Sequence, residues 1–94
     1  MVITEYGKDK IEWFEGHGDK KYKVKVYDKD GNLKQVSLFG DKRYMQYEDT
    51  TPLKLYSHLN HLNDKRRELY RKRHQHTDYK RKYSSAWFSW NFLW

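Results

Sequence analysis

The stretch from Lys21 to Phe39 leaves this chain the fewest options. Tyr22, Val24 and Val26 alternate with Lys21, Lys23 and Lys25, and a period of two puts the first set on one face of a strand and the lysines on a wet face. Asp28-Lys29-Asp30-Gly31 follows. An Asp at the first position binds nearby amides, and a glycine at the fourth accepts the left-handed backbone that closes a short hairpin. Leu33 to Phe39 then returns, with Val36 and Leu38 on one face and Leu33 and Phe39 on the other. A hairpin over about 21–39 is expected. The Asp28, Asp30, Asn32 run is not a calcium loop, because such a loop needs glycine at its sixth position and a carboxylate at its twelfth. Here the fourth is Gly31 and the twelfth is Phe39.

The flanks are less sharply patterned. Val2 to Gly18 mixes Ile3, Tyr6, Ile11, Trp13 and Phe14 with Gly7, Gly16 and Gly18, which reads as a short strand or turn closed by a loop. Tyr44 and Tyr47, three apart, suit one helical turn or a tight loop. Thr51-Pro52 predicts a helix start, since Thr caps free amides and Pro suits the first helical position. Leu55, Leu59 and Leu62 follow as an apolar stripe. Asn60 to Asp64 weakens the helix, so it is expected to stop near Leu62 and restart with Asn63 or Asp64 as a cap. Leu69, Tyr70 and Arg73 continue a face, and basic residues coat the rest. The expectation is an α+β fold: one small domain over 1–94, with the hairpin packed against one or two helices within about 52–76 and an aromatic C-terminal segment at 84–94.

At 94 residues, such a domain buries only about 60–65% of its unfolded surface. The chain has seventeen Trp, Tyr and Phe against fourteen Leu, Val and Ile. Aromatic rings must therefore supply most of the core, each burying ~150–250 Å². Cysteine is absent, which removes disulfides, thiolate zinc sites and thiol catalysis. Neither a signal-like N-terminus nor an apolar run of about 20 residues is present. The expected setting is accordingly intracellular or particle-bound, not secreted, with no transmembrane segment.

Charge is distributed unevenly. Residues 65–82 hold nine Lys or Arg against Glu68 and Asp78, while residues 1–64 balance at eleven against eleven, so the segment carries the chain's whole net charge of +7. Arg66, Arg67, Arg71, Lys72, Arg73, Lys80, Arg81 and Lys82 are the expected contacts for an anionic partner. Trp87, Phe88, Trp90, Phe92 and Trp94 are the expected apolar contacts. Left on a monomer surface they would expose a patch large enough to mark an interface, and the alternative is that they fold back into their own domain's core.

Phe39-Gly40, Tyr44, Tyr47, Tyr56, His58, His61, Asp64, Arg66-Arg67, Tyr70 and Arg73-His74, closed by Ala86-Trp87-Phe88-Ser89-Trp90-Asn91-Phe92-Leu93-Trp94, resemble a family of small proteins from large double-stranded DNA viruses. The resemblance covers roughly 21–94 and leaves 1–20 outside. It implies a viral origin and residence in the virion, and it brings no catalytic residues with it.

Chemistry finds little footing. His58, His61 and Asp64 recur every three residues, which on a helix would make a two-His, one-carboxylate metal set. The alternative is that the histidines bind backbone or cap a helix end. A hairpin-helix metal nuclease needs a His at the strand end as base, and that place holds Phe39, Gly40 and Asp41. Gly16-His17-Gly18 lacks the Lys and Ser/Thr of a phosphate loop. No enzyme, cofactor or small-molecule substrate is expected. The leading expectation is a structural virion component joining other proteins of a larger viral assembly. One alternative is sequence-nonspecific nucleic-acid binding, with Tyr70, Tyr79 and Tyr83 stacking bases among the cations. The other is a peripheral anchor on an anionic membrane surface, with Lys80-Arg81-Lys82 for lipid heads and the rings for the headgroup layer.

Overall fold

Alternation of side chains about a two-residue period gives four strands in the computed structural model, which describes residues 1–94. β1 (Val2–Tyr6), β2 (Asp9–Glu15), β3 (Lys20–Tyr27) and β4 (Leu33–Asp41) form an antiparallel meander in the order β1-β2-β3-β4. The expected hairpin is β3–β4, with Tyr22 opposite Phe39 and Val24 opposite Ser37. Asp28 closes it as expected, its Oδ1 accepting from the amides of Asp30 and Asn32, each at 2.9 Å. The N-terminal segment is a second full hairpin, pairing Val2 with Trp13 and Thr4 with Ile11. Its period was blurred because Ile11, Glu12 and Trp13 are all buried in succession.

Registration puts Ile11, Trp13, Tyr22, Val24, Val26 and Phe39 on one face, where they meet Tyr83, Trp87, Phe88 and Leu93 in a single core. Aromatic rings dominate it. Phe88 stacks on Phe39 at 5.2 Å and meets Trp13 edge-on at 5.9 Å, geometries worth about 0.5–1.5 kcal/mol beyond area burial.

Two helices follow, α1 (Asp64–Arg73) and α2 (Ser85–Phe92). Asn63 caps α1, its side chain accepting from the Arg66 amide at 3.0 Å, and Ser84 caps α2 by accepting from Trp87 at 3.1 Å. The helix expected from Thr51-Pro52 to Leu62 is not there. Thr51 Oγ1 does accept from the Lys54 amide at 3.2 Å, the capping bond, but Lys54 turns to φ +49° and propagation stops. The next amides are taken by side chains: Leu55 donates to the Tyr22 hydroxyl at 2.9 Å and Tyr56 to Asp49 Oδ2 at 3.1 Å. These acceptors outcompete helical carbonyls. Only one 3-10 turn, Ser57–Leu59, forms before α1. Leu55 and Leu62 are consequently exposed. The sheet's cover is also not the helix expected within 52–76: α1 buries no residue, and α2 supplies Trp87 and Phe88 to the core.

A cation-lined cleft as the candidate functional site

The irregular chain after β4 is held by buried polar groups, and these shape the site. Asp49, 2% exposed, accepts from the Tyr22 hydroxyl, from Thr51 N at 3.0 Å, from Thr51 Oγ1 at 2.6 Å and from Tyr56 N. Lys21, expected on the wet face, is instead 2% exposed. Its ammonium donates to the Tyr44 carbonyl at 2.9 Å and to Gln46 Oε1. Burial lowers its pKa from 10.5 to about 8, with Asp49 and Asp41 opposing the shift. Gly40, at φ +76°, lies against this lysine. A Cβ there would come within 3.0 Å of Lys21 Cβ and Cδ and 3.1 Å of Leu93, so a side chain is excluded both sterically and by backbone conformation.

Beside this anchor lies an open cleft of about 780 Å³, between the β3–β4 end, the Tyr44–Met45 turn, α1 and the end of α2. Helical spacing explains the α1 contribution. Arg66, Tyr70, Arg73 and His74 fall at i, i+4, i+7 and i+8, one face, and all four line the cleft. Lys20 joins them from β3. One wall is a pile of rings, with Trp94 on Tyr70 at 4.1 Å and Tyr70 on His74 at 4.0 Å. Tyr44, 64% exposed, lines the cleft from the turn, the Arg43 guanidinium 5.7 Å from its ring. The carboxylate in the cleft is Asp41, bound by Arg43 through Nε at 3.1 Å and Nη2 at 2.8 Å, which holds its pKa down to about 2. Its charge is therefore neutralised locally, and the cleft presents a cationic lining.

The sequence-expected anion contacts divide into two groups. Arg67 and Arg71 face the other side of α1 and hold the chain's last residues: Arg67 Nε donates to the Trp94 main-chain oxygen at 2.6 Å and Arg71 Nη2 to the same oxygen at 2.9 Å. Their guanidiniums also sit over Tyr47 at 4.7 Å and Trp90 at 5.0 Å. Both are internal ties and leave the expected set. Arg66 and Arg73 line the cleft, while Lys72, Lys80 and Arg81 are exposed. Lys82 lies over the Tyr6 and Tyr83 rings at 5.3 and 5.1 Å.

The aromatic set follows the alternative open to it and packs against its own domain. Trp87 and Phe88 are buried in their own domain, Phe92 packs edge-on to Trp13 at 5.0 Å, Trp90 is sandwiched between Arg71 and Tyr79, and Trp94 lies on Tyr70. With so few aliphatics in the chain, the core draws on these rings. The tyrosines expected to stack bases are likewise engaged, Tyr70 and Tyr79 in ring piles and Tyr83 in the core. No helix is long and apolar enough to cross a membrane.

The metal candidates are not gathered either. Residues 57–63 are a 3-10 turn and irregular chain, so spacing by three does not align His58, His61 and Asp64 on a helical face. His61 Nδ1 accepts from the Asn63 amide at 2.9 Å, Asp64 accepts from the Tyr47 hydroxyl at 2.8 Å, and His58 packs near Tyr56 at 6.0 Å. Burial and the Arg66 charge lower the His61 pKa. No three His, Asp or Glu side chains converge as a cation site.

Lys20 and Tyr44 were not anticipated as site residues. Gly40 was the available signal, because a glycine ending a strand marks a left-handed bend or a close approach by neighbouring side chains. Comparison with protein-family models, curated proteins and solved structures finds no match to this chain.

Proposed function

We propose that this protein is a non-catalytic binding module that grips nucleic acid by its phosphates, without sequence preference, in the cleft between α1 and the end of the sheet. The observation that carries this reading is the convergence of Arg66, Arg73 and Lys20 on one open cleft whose carboxylate is already neutralised by Arg43. Guanidiniums two helical turns apart meet successive phosphates without reading bases, which sets orientation and salt dependence and carries no sequence information. The exposed Tyr44 ring offers a face for stacking, and stacking favours single strands, whose bases are free, by about 1–3 kcal/mol per base. In the viral setting that the family resemblance implies, such a module would lie against the genome inside the particle.

The test is fluorescence anisotropy with a labelled oligothymidine and with a duplex of equal length. Single-strand binding is expected to be the tighter and to weaken about tenfold or more in the Arg66→Gln/Arg73→Gln double variant. Tyr44→Ala should narrow the difference between single strand and duplex. Affinity that stays constant between about 50 and 200 mM salt overturns phosphate contact.

A further inference from the structure

The sheet has a second face, opposite to the one on which α2 packs. Cross-strand register places Phe14, Lys23 and Leu38 in one row and Ile3, Glu12, Lys25 and Val36 in the next, all opposite to the core. Ile3 and Val36 are 49% and 45% exposed. The side chains there engage one another: the Tyr27 hydroxyl donates to Glu12 at 3.1 Å, and the Lys25 ammonium lies 5.4 Å from the Phe14 ring centre. Sheets normally bury both faces or leave one polar. This one is mixed, with apolar residues on the flanking strands and two lysines on the central strand β3.

We propose that this outer face docks an amphipathic helix of a partner protein that carries two carboxylates one turn apart within its apolar stripe. The spacing supports it. Lys23 and Lys25 are alternate residues of a strand, about 6.6 Å apart, and helix residues i and i+4 rise about 6 Å, so a helix laid along β3 sets one carboxylate on each ammonium. Ile3 on β1 and Val36 on β4 are three strand spacings apart, about 14 Å, which brackets a helix about 10–12 Å wide. Glu12, across from Lys25, accepts from the Tyr27 hydroxyl at 3.1 Å and forms an ion pair with neither lysine.

Two other occupants fit worse. A second copy stacked face to face about a twofold axis sets each lysine pair against its like, which repels. A bilayer surface receives apolar groups at the centre of a patch with cations at its margin, and here the cations occupy the centre.

The experiment uses the full chain, isotopically labelled, titrated with a leucine-rich helical peptide bearing two glutamates four apart, and with the same peptide carrying glutamines. The glutamate peptide is expected to shift the amides of β3 and of Phe14 and Leu38, and to bind about tenfold more tightly than the glutamine peptide. Lys23→Gln/Lys25→Gln should abolish that difference and leave oligothymidine affinity unchanged. Equal binding of the two peptides, or shifts at Arg66 and Arg73 in place of the sheet, overturns the proposal. So does a face occupied by self-association or by acidic-lipid vesicles while the peptide is inert.

Discussion

Asp49 organises more of this molecule than any other single side chain. It meets one strand hydroxyl and three groups of the loop from within a site that water does not reach. Replacing it with Ala leaves those donors buried and unsatisfied, each costing about 1–3 kcal/mol if unrelieved. Asp49→Ala is expected to lose about 3 kcal/mol in urea unfolding at an unchanged m value, which for a domain this size lowers Tm by roughly 4–8 °C per kcal/mol. Nothing in the sequence singled out Asp49, because its role depends on which donors the fold brings to it. Lys21 gives a second, pH-dependent expectation. Its pKa is about 8 when folded against 10.5 ordinarily, so between those values the unfolded chain binds more protons and stability rises with pH. Tyr22 and Tyr83 act oppositely: burial, and then the carboxylates of Asp49 and Asp9, raise both above 10, so their stabilisation is lost as pH climbs past 10. Thermal melts should therefore strengthen from about pH 8 toward 10 and weaken beyond. Lys21→Met should flatten the rise while retaining the fall.

At the scale of elements, the two helices behave differently because one is held by packing and the other by surface ties. α2 places Phe88 at 0% exposure between Phe39 and Trp13. Phe88→Ala is expected to cost about 3–5 kcal/mol, a large part of what a small domain has, and to show in circular dichroism as partial unfolding at 37 °C. α1 buries nothing and rests on Arg67, Arg71 and Tyr70 against Trp90 and Trp94. Asn63→Ala, which removes its cap, should cost about 1 kcal/mol locally. In hydrogen exchange α1 amides should then exchange faster while those of β3 are unchanged. The Asn63 cap and the β3–β4 hairpin were readable from residue types, since capping and turn closure are local chemistry, whereas the helix capped by Ser84 was read only as an aromatic segment. The false helix start at Thr51-Pro52 was equally local, and its cap did form. What stopped it was the neighbouring Asp49 together with Tyr22, which is distant in sequence and adjacent in space.

For the whole molecule, the excess charge sits on one flank, but only part of it faces outward to a ligand. With Arg67 and Arg71 engaged internally, Lys20, Arg66 and Arg73 remain at the cleft. Three phosphate contacts on a single strand predict a slope of about −2 for log affinity against log salt. A slope near about −5, measured by anisotropy across a salt series, would mean that the exposed Lys72, Lys80, Arg81 and Lys82 also bind. Composition and pattern alone determined the α+β class, the central hairpin, the reliance on aromatic rings and the location of the positive charge, because each follows from residue types and short-range periodicity. The tertiary structure decided that the tryptophans close their own core, that two of the arginines tie down the chain's last residues, that a lysine of the hairpin is buried, and that a cleft opens beside Gly40. Those outcomes depend on which distant surfaces meet, and burial, unlike propensity, is a property of the assembled chain.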